Sequence, residues 1–199
     1  MKIFRKPGDY AAFAQLMIDA KERANVELFG FCLMPNHWHL VLRPKSDRDL
    51  ATFMSWLTNT HVKRYRSHYK QTSGHLYQGR YKSFPVEADE YFLTLLRYVE
   101  ANPLRAKLVT RAQAWKWSSL GCGKELAGKL LDAWPVERPR GWDALVNEML
   151  PQADQGRIKA SLERERPLGS DVWVNAMALK LGLTYTVNPR GRPKKKVER

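Results

Sequence analysis

Val26-Glu27-Leu28-Phe29-Gly30-Phe31-Cys32-Leu33-Met34, then Pro35-Asn36, then His37-Trp38-His39-Leu40-Val41-Leu42-Arg43 is the stretch that decides the fold. Two short apolar runs are separated by a single turn signal, which predicts two strands joined as an antiparallel hairpin. Upstream, a helix is expected to start at Asp9, after Pro7-Gly8, and to end near Asn25. Phe13, Leu16, Met17 and Ala20 give it one buried face at i, i+3, i+4, i+7. Downstream, a second helix runs from about Asp47, read as its N-cap, through Leu50, Phe53, Met54 and Leu57 to Tyr65. Gln71 to Gly79 reads as a loop and Arg80 to Val86 as a further strand. A third helix opens at Ala88-Asp89-Glu90, acids suited to a helix N-terminus, and stops at Asn102 because Pro103 restrains its predecessor. The expected class is α+β, with helices packed on an antiparallel sheet.

Beyond Thr110 the pattern loosens into a helical C-terminal extension, residues 111–187, with short helices near 141–150, 155–166 and 170–182. Asn188 to Arg199 is charged, contains proline and is apolar only at Val197, so it reads as a disordered tail. The 199 residues allow one compact domain with an appendage, and the 44% hydrophobic content excludes global disorder. Cys32 and Cys122, without a CxxC, support neither a disulfide scaffold nor a zinc ribbon. No run approaches the ~20 apolar residues of a bilayer span, and the N-terminus lacks the apolar core of a secretion signal, so the default location is cytoplasmic.

The formal charge of +14 points to a polyanion, nucleic acid before an anionic membrane. His61 to Lys82 holds six basic residues, no acid, four tyrosines and three histidines. Cations for phosphates interleaved with rings for bases suit single-stranded nucleic acid; a solvated helix face would explain the charge but not the absence of acids. Pro189-Arg190-Gly191-Arg192-Pro193 and Lys194-Lys195-Lys196 form a second basic strip. It reads either as an AT-hook core for A·T-rich duplex DNA or as a generic basic tail. These two segments carry +11 of the +14.

Alternation along a strand puts His37 and His39 on one side, about 7 Å apart at the backbone, with Trp38 turned to the other. Such a pair can share a divalent ion, or can be two polar residues on an exposed sheet face. On the third helix Tyr91, Leu95, Tyr98 and Asn102 share a face. Asn102 offers a hard amide oxygen suited to Mg²⁺ or Mn²⁺ and Tyr98 a phenolic oxygen; alternatively Tyr98 is an amphipathic core residue and Asn102 merely ends the helix.

Met34-Pro35-Asn36-His37-Trp38-His39, Gly79-Arg80-Tyr81-Lys82 and Tyr98-Val99-Glu100-Ala101-Asn102-Pro103-Leu104-Arg105-Ala106, in this order and spacing, resemble the REP-associated tyrosine transposases of the HUH single-strand nuclease superfamily. The likeness extends to Trp117-Ser118-Ser119, Pro167-Leu168-Gly169-Ser170 and Arg190-Gly191-Arg192-Pro193. It implies a ferredoxin-like sheet in a catalytic domain over residues 1–110, with His37, His39 and Asn102 holding Mg²⁺ or Mn²⁺ and Tyr98 as nucleophile. The implied reaction cleaves and rejoins single-stranded DNA hairpins of palindromic repeats through a 5′-phosphotyrosine. Residues expected to contact DNA are Lys63, Arg64, Arg66, Lys70, Gln78, Arg80, Lys82 and Arg105, with Arg190, Arg192 and Lys194 in the tail. The resemblance also implies association with the bacterial nucleoid, and it leaves monomer and homodimer both open. It places another strand upstream of Ile3-Phe4, where this sequence has only Met1-Lys2, and a glycine where Lys107 stands. Two other readings are carried with it: a catalytically inert protein that recognises palindromic hairpins, and a replication initiator or relaxase using Tyr91 as a second tyrosine.

Overall fold

The computed structural model describes residues 2–188. Its elements are α1 (Pro7–Lys21), β1 (Val26–Met34), β2 (His37–Pro44), α2 (Asp49–Tyr69), α3 (Glu90–Glu100), α4 (Asn102–Arg105), α5 (Lys124–Leu130), α6 (Trp142–Asn147), α7 (Gln152–Arg164), α8 (Asp171–Lys180) and α9 (Thr184–Val187). The class is α+β, and the sheet is the antiparallel pair β1–β2.

The chain separates into two compact units that interleave in sequence. The first comprises residues up to Arg80 together with Leu93–Leu150; the second comprises Tyr81–Phe92 and the described residues from Pro151. Only the first holds the sheet.

In the hairpin Cys32 pairs with His39 and Met34 with His37 across the two-residue turn, and the register slips by one between Leu28 and Gly30. This bulge at Phe29 has a purpose in the packing. Strict alternation would put Leu28 on the opposite face from Phe31 and Leu33; the extra residue brings all three into one core. That core joins them to Phe13, Leu16 and Met17 of α1 and Phe53 and Leu57 of α2. The opposite face carries Gly30, against which Leu96 of α3 packs.

β1 is buried along nearly its whole length because its second edge is also covered. Leu33 N–H donates to Trp117 O at 2.8 Å and Ser119 N–H to Phe31 O at 2.9 Å. Further along, Leu28 N–H donates to Asp132 Oδ2 at 2.7 Å and the Trp134 indole to Phe29 O at 3.0 Å. An edge that would otherwise recruit another chain is thereby closed.

Three sequence expectations are corrected. α1 begins at Pro7 and ends at Lys21 rather than near Asn25; Asp9 sits inside its first turn, its carboxylate accepting from Arg5 N at 2.6 Å and Lys6 N at 3.1 Å. In α2 the acid that ties down the entry is Asp49, accepting from Ser46 N at 2.7 Å, and not Asp47. Arg80 to Val86 forms no strand: among the described residues its ladder contact is a single parallel bridge from Val86 to Leu168 in the second unit. There Leu168 N–H donates to Pro85 O and Glu87 N–H to Leu168 O, both at 2.9 Å, while Pro85 itself has no donor to extend a ladder. The expected helices near 141–150, 155–166 and 170–182 are present as α6, α7 and α8. The AT-hook-like segment with Arg190, Arg192 and Lys194 lies outside the described residues.

Candidate active site

The site is assembled in the first unit from the hairpin and the end of α3. The period-two geometry of β2 separates the histidines from the tryptophan, as the sequence predicts. Trp38 packs towards the α1–α2 core, its ring 5.7 Å from that of Phe13 and its indole N–H donating to Tyr77 Oη at 3.3 Å. His37 and His39 face the other way, edge to face, with ring centroids 4.9 Å apart. Tyr98 comes down on them from α3, its ring 6.5 Å from that of His39.

His39 is the most constrained group. Its Nε2 is buried and has no hydrogen-bond partner. Burial, with lesser contributions from the neighbouring His37 and Arg105, depresses its pKa to about 3, so the ring is neutral at physiological pH with a lone pair available. His37 is also held below the usual imidazole value, by desolvation. Its Nδ1 is tied to Asn36 Oδ1 at 2.8 Å, which leaves Nε2 as its free nitrogen. A buried nitrogen lacking a partner is costly unless something outside the chain meets it, and two neutral imidazoles side by side are a donor set for a divalent metal. Among the described residues no group of three His, Cys, Asp or Glu is placed to hold a metal, so any ion on this pair would need other kinds of ligand.

Asn102 is buried at the start of α4, where Pro103 sets the first turn of the new helix. Its Nδ2 donates to Tyr98 O at 3.0 Å and Val99 O at 3.2 Å, and its Oδ1 accepts from Arg105 Nη2 at 2.8 Å. Arg105 in turn lies across the Tyr98 ring, 3.7 Å from its centroid, and donates from Nη1 to Tyr98 O at 3.1 Å. Residues 98, 102 and 105 therefore form one closed cluster, at the i, i+4, i+7 spacing that stacks side chains on one helical face.

Two features carry no signal that sequence reading isolated. Glu100 is buried, accepting from Ser119 Oγ at 2.5 Å and from the Trp142 indole at 2.7 Å, and desolvation raises its carboxyl above the usual range. It pins α3 to the segment covering β1. Tyr77 shares a 2.5 Å hydrogen bond with Nδ1 of buried His61 beneath β2. The aromatic-rich segment His61 to Lys82 thus divides: His61 and Tyr65 belong to the core, while His68, His75 and Tyr81 are exposed. Not every ring of the segment is therefore free to meet bases, because α2 needs an apolar face to pack. Lys63, Arg64, Arg66, Lys70, Gln78 and Arg80 are exposed in the first unit and Lys82 in the second. Arg66 already donates to Gly74 O at 2.8 Å, fastening the loop to α2. Arg105 is committed to Tyr98 and Asn102. Tyr91 lies on the part of α3 that belongs to the second unit.

An α+β domain that presents a histidine pair from a strand to a tyrosine on a helix is the framework of HUH-type transposases. Residues 1–102, just over half of the 199, match the family model described as "Transposase IS200 like", and the chain belongs to that family. Searches of curated proteins and of solved structures returned no match. Among the described residues no helix is long and apolar enough to cross a membrane.

Proposed function

We propose that this transposase acts on single-stranded DNA by transesterification at Tyr98. The observation that carries the reading is the buried, unpartnered Nε2 of His39, on a ring whose centroid is 4.9 Å from that of His37 and 6.5 Å from that of Tyr98. Tyr98 Oη attacks the phosphorus of a phosphodiester as the bond to the 3′-oxygen breaks, and the phenolic proton ends on the released 3′-hydroxyl. The products are a 5′-phosphotyrosyl protein and a free 3′ end. One ester replaces another, so a different 3′-hydroxyl can reverse the step without ATP. His37 and His39 would hold Mg²⁺ or Mn²⁺, which supplies charge neutralisation at the phosphate. Arg105 fixes the plane of the Tyr98 ring, and the exposed cations of α2 hold the backbone of the strand.

The substrate class favoured is a hairpin-forming single strand of the palindromic-repeat type, with A·T-rich duplex as a further target of the basic tail. Replacing Tyr98 with Phe is expected to abolish the covalent protein–DNA adduct seen on denaturing gels with Mn²⁺, while oligonucleotide binding persists. Cleavage by the Phe variant, or undiminished cleavage in EDTA, would remove Tyr98 or the metal from the scheme. One observation favours a second reading, an inert hairpin-binding protein: the Asn102 oxygen is engaged by Arg105. Adduct formation by the wild-type chain excludes that reading.

A further inference from the structure

We propose that Arg105 is an internal cation that competes with a divalent ion for the amide oxygen of Asn102 and must release it before Asn102 can join that ion. The inference rests on the metal reading of the histidine pair.

Each polar atom of the Asn102 amide has a partner. The NH₂ group faces the carbonyl oxygens of Tyr98 and Val99, and the oxygen faces a guanidinium N–H at 2.8 Å. This pattern fixes the amide orientation, because a flip would set donor against donor and acceptor against acceptor. Arg105 is anchored independently by Tyr98, through its ring at 3.7 Å and its carbonyl at 3.1 Å. The guanidinium therefore rests on Asn102 as one side of a three-residue cluster.

An amide oxygen has two lone pairs, so by count alone it could serve a guanidinium and a metal ion together. Charge decides against sharing. Both partners are cations, and on one oxygen they would stand only a few ångströms apart in a partly desolvated site. The histidines face no such competitor, since His39 Nε2 has no partner. The two imidazoles would hold the ion, and Asn102 would complete the set only once Arg105 has released its oxygen. Freed from Asn102, the guanidinium recovers donors of a planar fork that matches phosphate oxygens, beside the attacking tyrosine.

The test is calorimetric titration of Mn²⁺ alone into the full chain, without DNA, for wild type, Arg105→Ala, Asn102→Ala and the double variant. Arg105→Ala is expected to bind Mn²⁺ about tenfold more tightly than wild type, the scale of a second-layer effect on a metal site, and the double variant to lose that gain. Equal or weaker binding by Arg105→Ala overturns the proposal and leaves the metal site standing. A gain that survives in the double variant also overturns it, because removal of charge alone then explains the change. Absence of Mn²⁺ binding in all four proteins overturns the metal reading and this inference together. If Arg105→Ala does not fold, Arg105→Gln, which keeps an amide donor and removes the charge, takes its place with the same outcomes.

Discussion

A methyl group on Gly30 would stand 2.5 Å from Cδ2 of Leu96. The bare backbone of β1 at this point is what lets α3 come close enough to bring Tyr98 over the histidines. Leu96 is fully buried, and Ser119 Oγ lies 3.3 Å from the same methyl position. Gly30→Ala is therefore expected to cost about 1–3 kcal/mol, the range for overpacking a filled core. Because the displaced helix carries Tyr98, the proposed nucleophile, adduct formation is expected to fall further than the folded fraction does. Urea denaturation alongside the adduct rate checks this; a variant with unchanged rate and stability would show that the helix approach is not limiting.

Lys107 adopts φ 55°, at the end of α4. Leu108 N–H bonds back to Pro103 O and Lys107 N–H to Leu104 O, both at 2.9 Å, which is the Schellman closure with Lys107 at its left-handed position. A side chain there is strained, and glycine is not. Lys107→Gly should raise stability by about 0.5–1 kcal/mol in a denaturant titration. A loss would mean that the Lys107 side chain contributes more than its backbone strain costs.

Buried His61 shares a hydrogen bond with Tyr77 Oη through Nδ1, and desolvation lowers its pKa to about 4. The folded value lies below the ordinary imidazole value near 6.5, so the folded chain binds fewer protons between the two. Stability from this group is complete above about pH 6.5 and is lost as pH falls towards 4, by up to roughly 3 kcal/mol. His61→Gln, which keeps an acceptor without titrating, should be less stable at pH 7 yet show a flatter fall between pH 6.5 and 4.5. Parallel curves for the two proteins would place the acid sensitivity elsewhere.

Lys63 and Arg64 are exposed on the second half of α2 and have no acidic partner among the described residues. Changing both to Ala should weaken binding of a labelled single-stranded oligonucleotide and make log K against log salt shallower by about 1.4, two phosphate contacts at ~0.7 each. Anisotropy titrations at several salt concentrations measure both. An unaltered slope would move the phosphate path off this helix.

The hairpin, the shared face of His37 and His39 and the opposed Trp38 were legible because strand alternation is a local rule: knowing the period is enough to assign faces. That a helix boundary falls beside Pro103 was legible for a similar reason, though α3 ends at Glu100 and Asn102 with Pro103 opens α4. The cover over β1 was not. Trp117, Ser119 and Asp132 reach it from 80 or more residues away, and no pattern within that segment records its partner. Nor could charge and ring content separate His61 and Tyr65, which pack inward, from His68 and Arg64, which do not.

At the site the division is the same. The sequence by itself determined which groups exist, a histidine pair at strand spacing and Tyr98, Asn102 and Arg105 at helical spacing, because covalent geometry fixes those intervals. Only the tertiary structure decided that the two sets meet, that His39 Nε2 is left buried without a partner, and that the Asn102 oxygen is held by Arg105. Those outcomes follow from how closely α3 approaches Gly30 and from which groups lose water when it does, and both depend on packing across the fold.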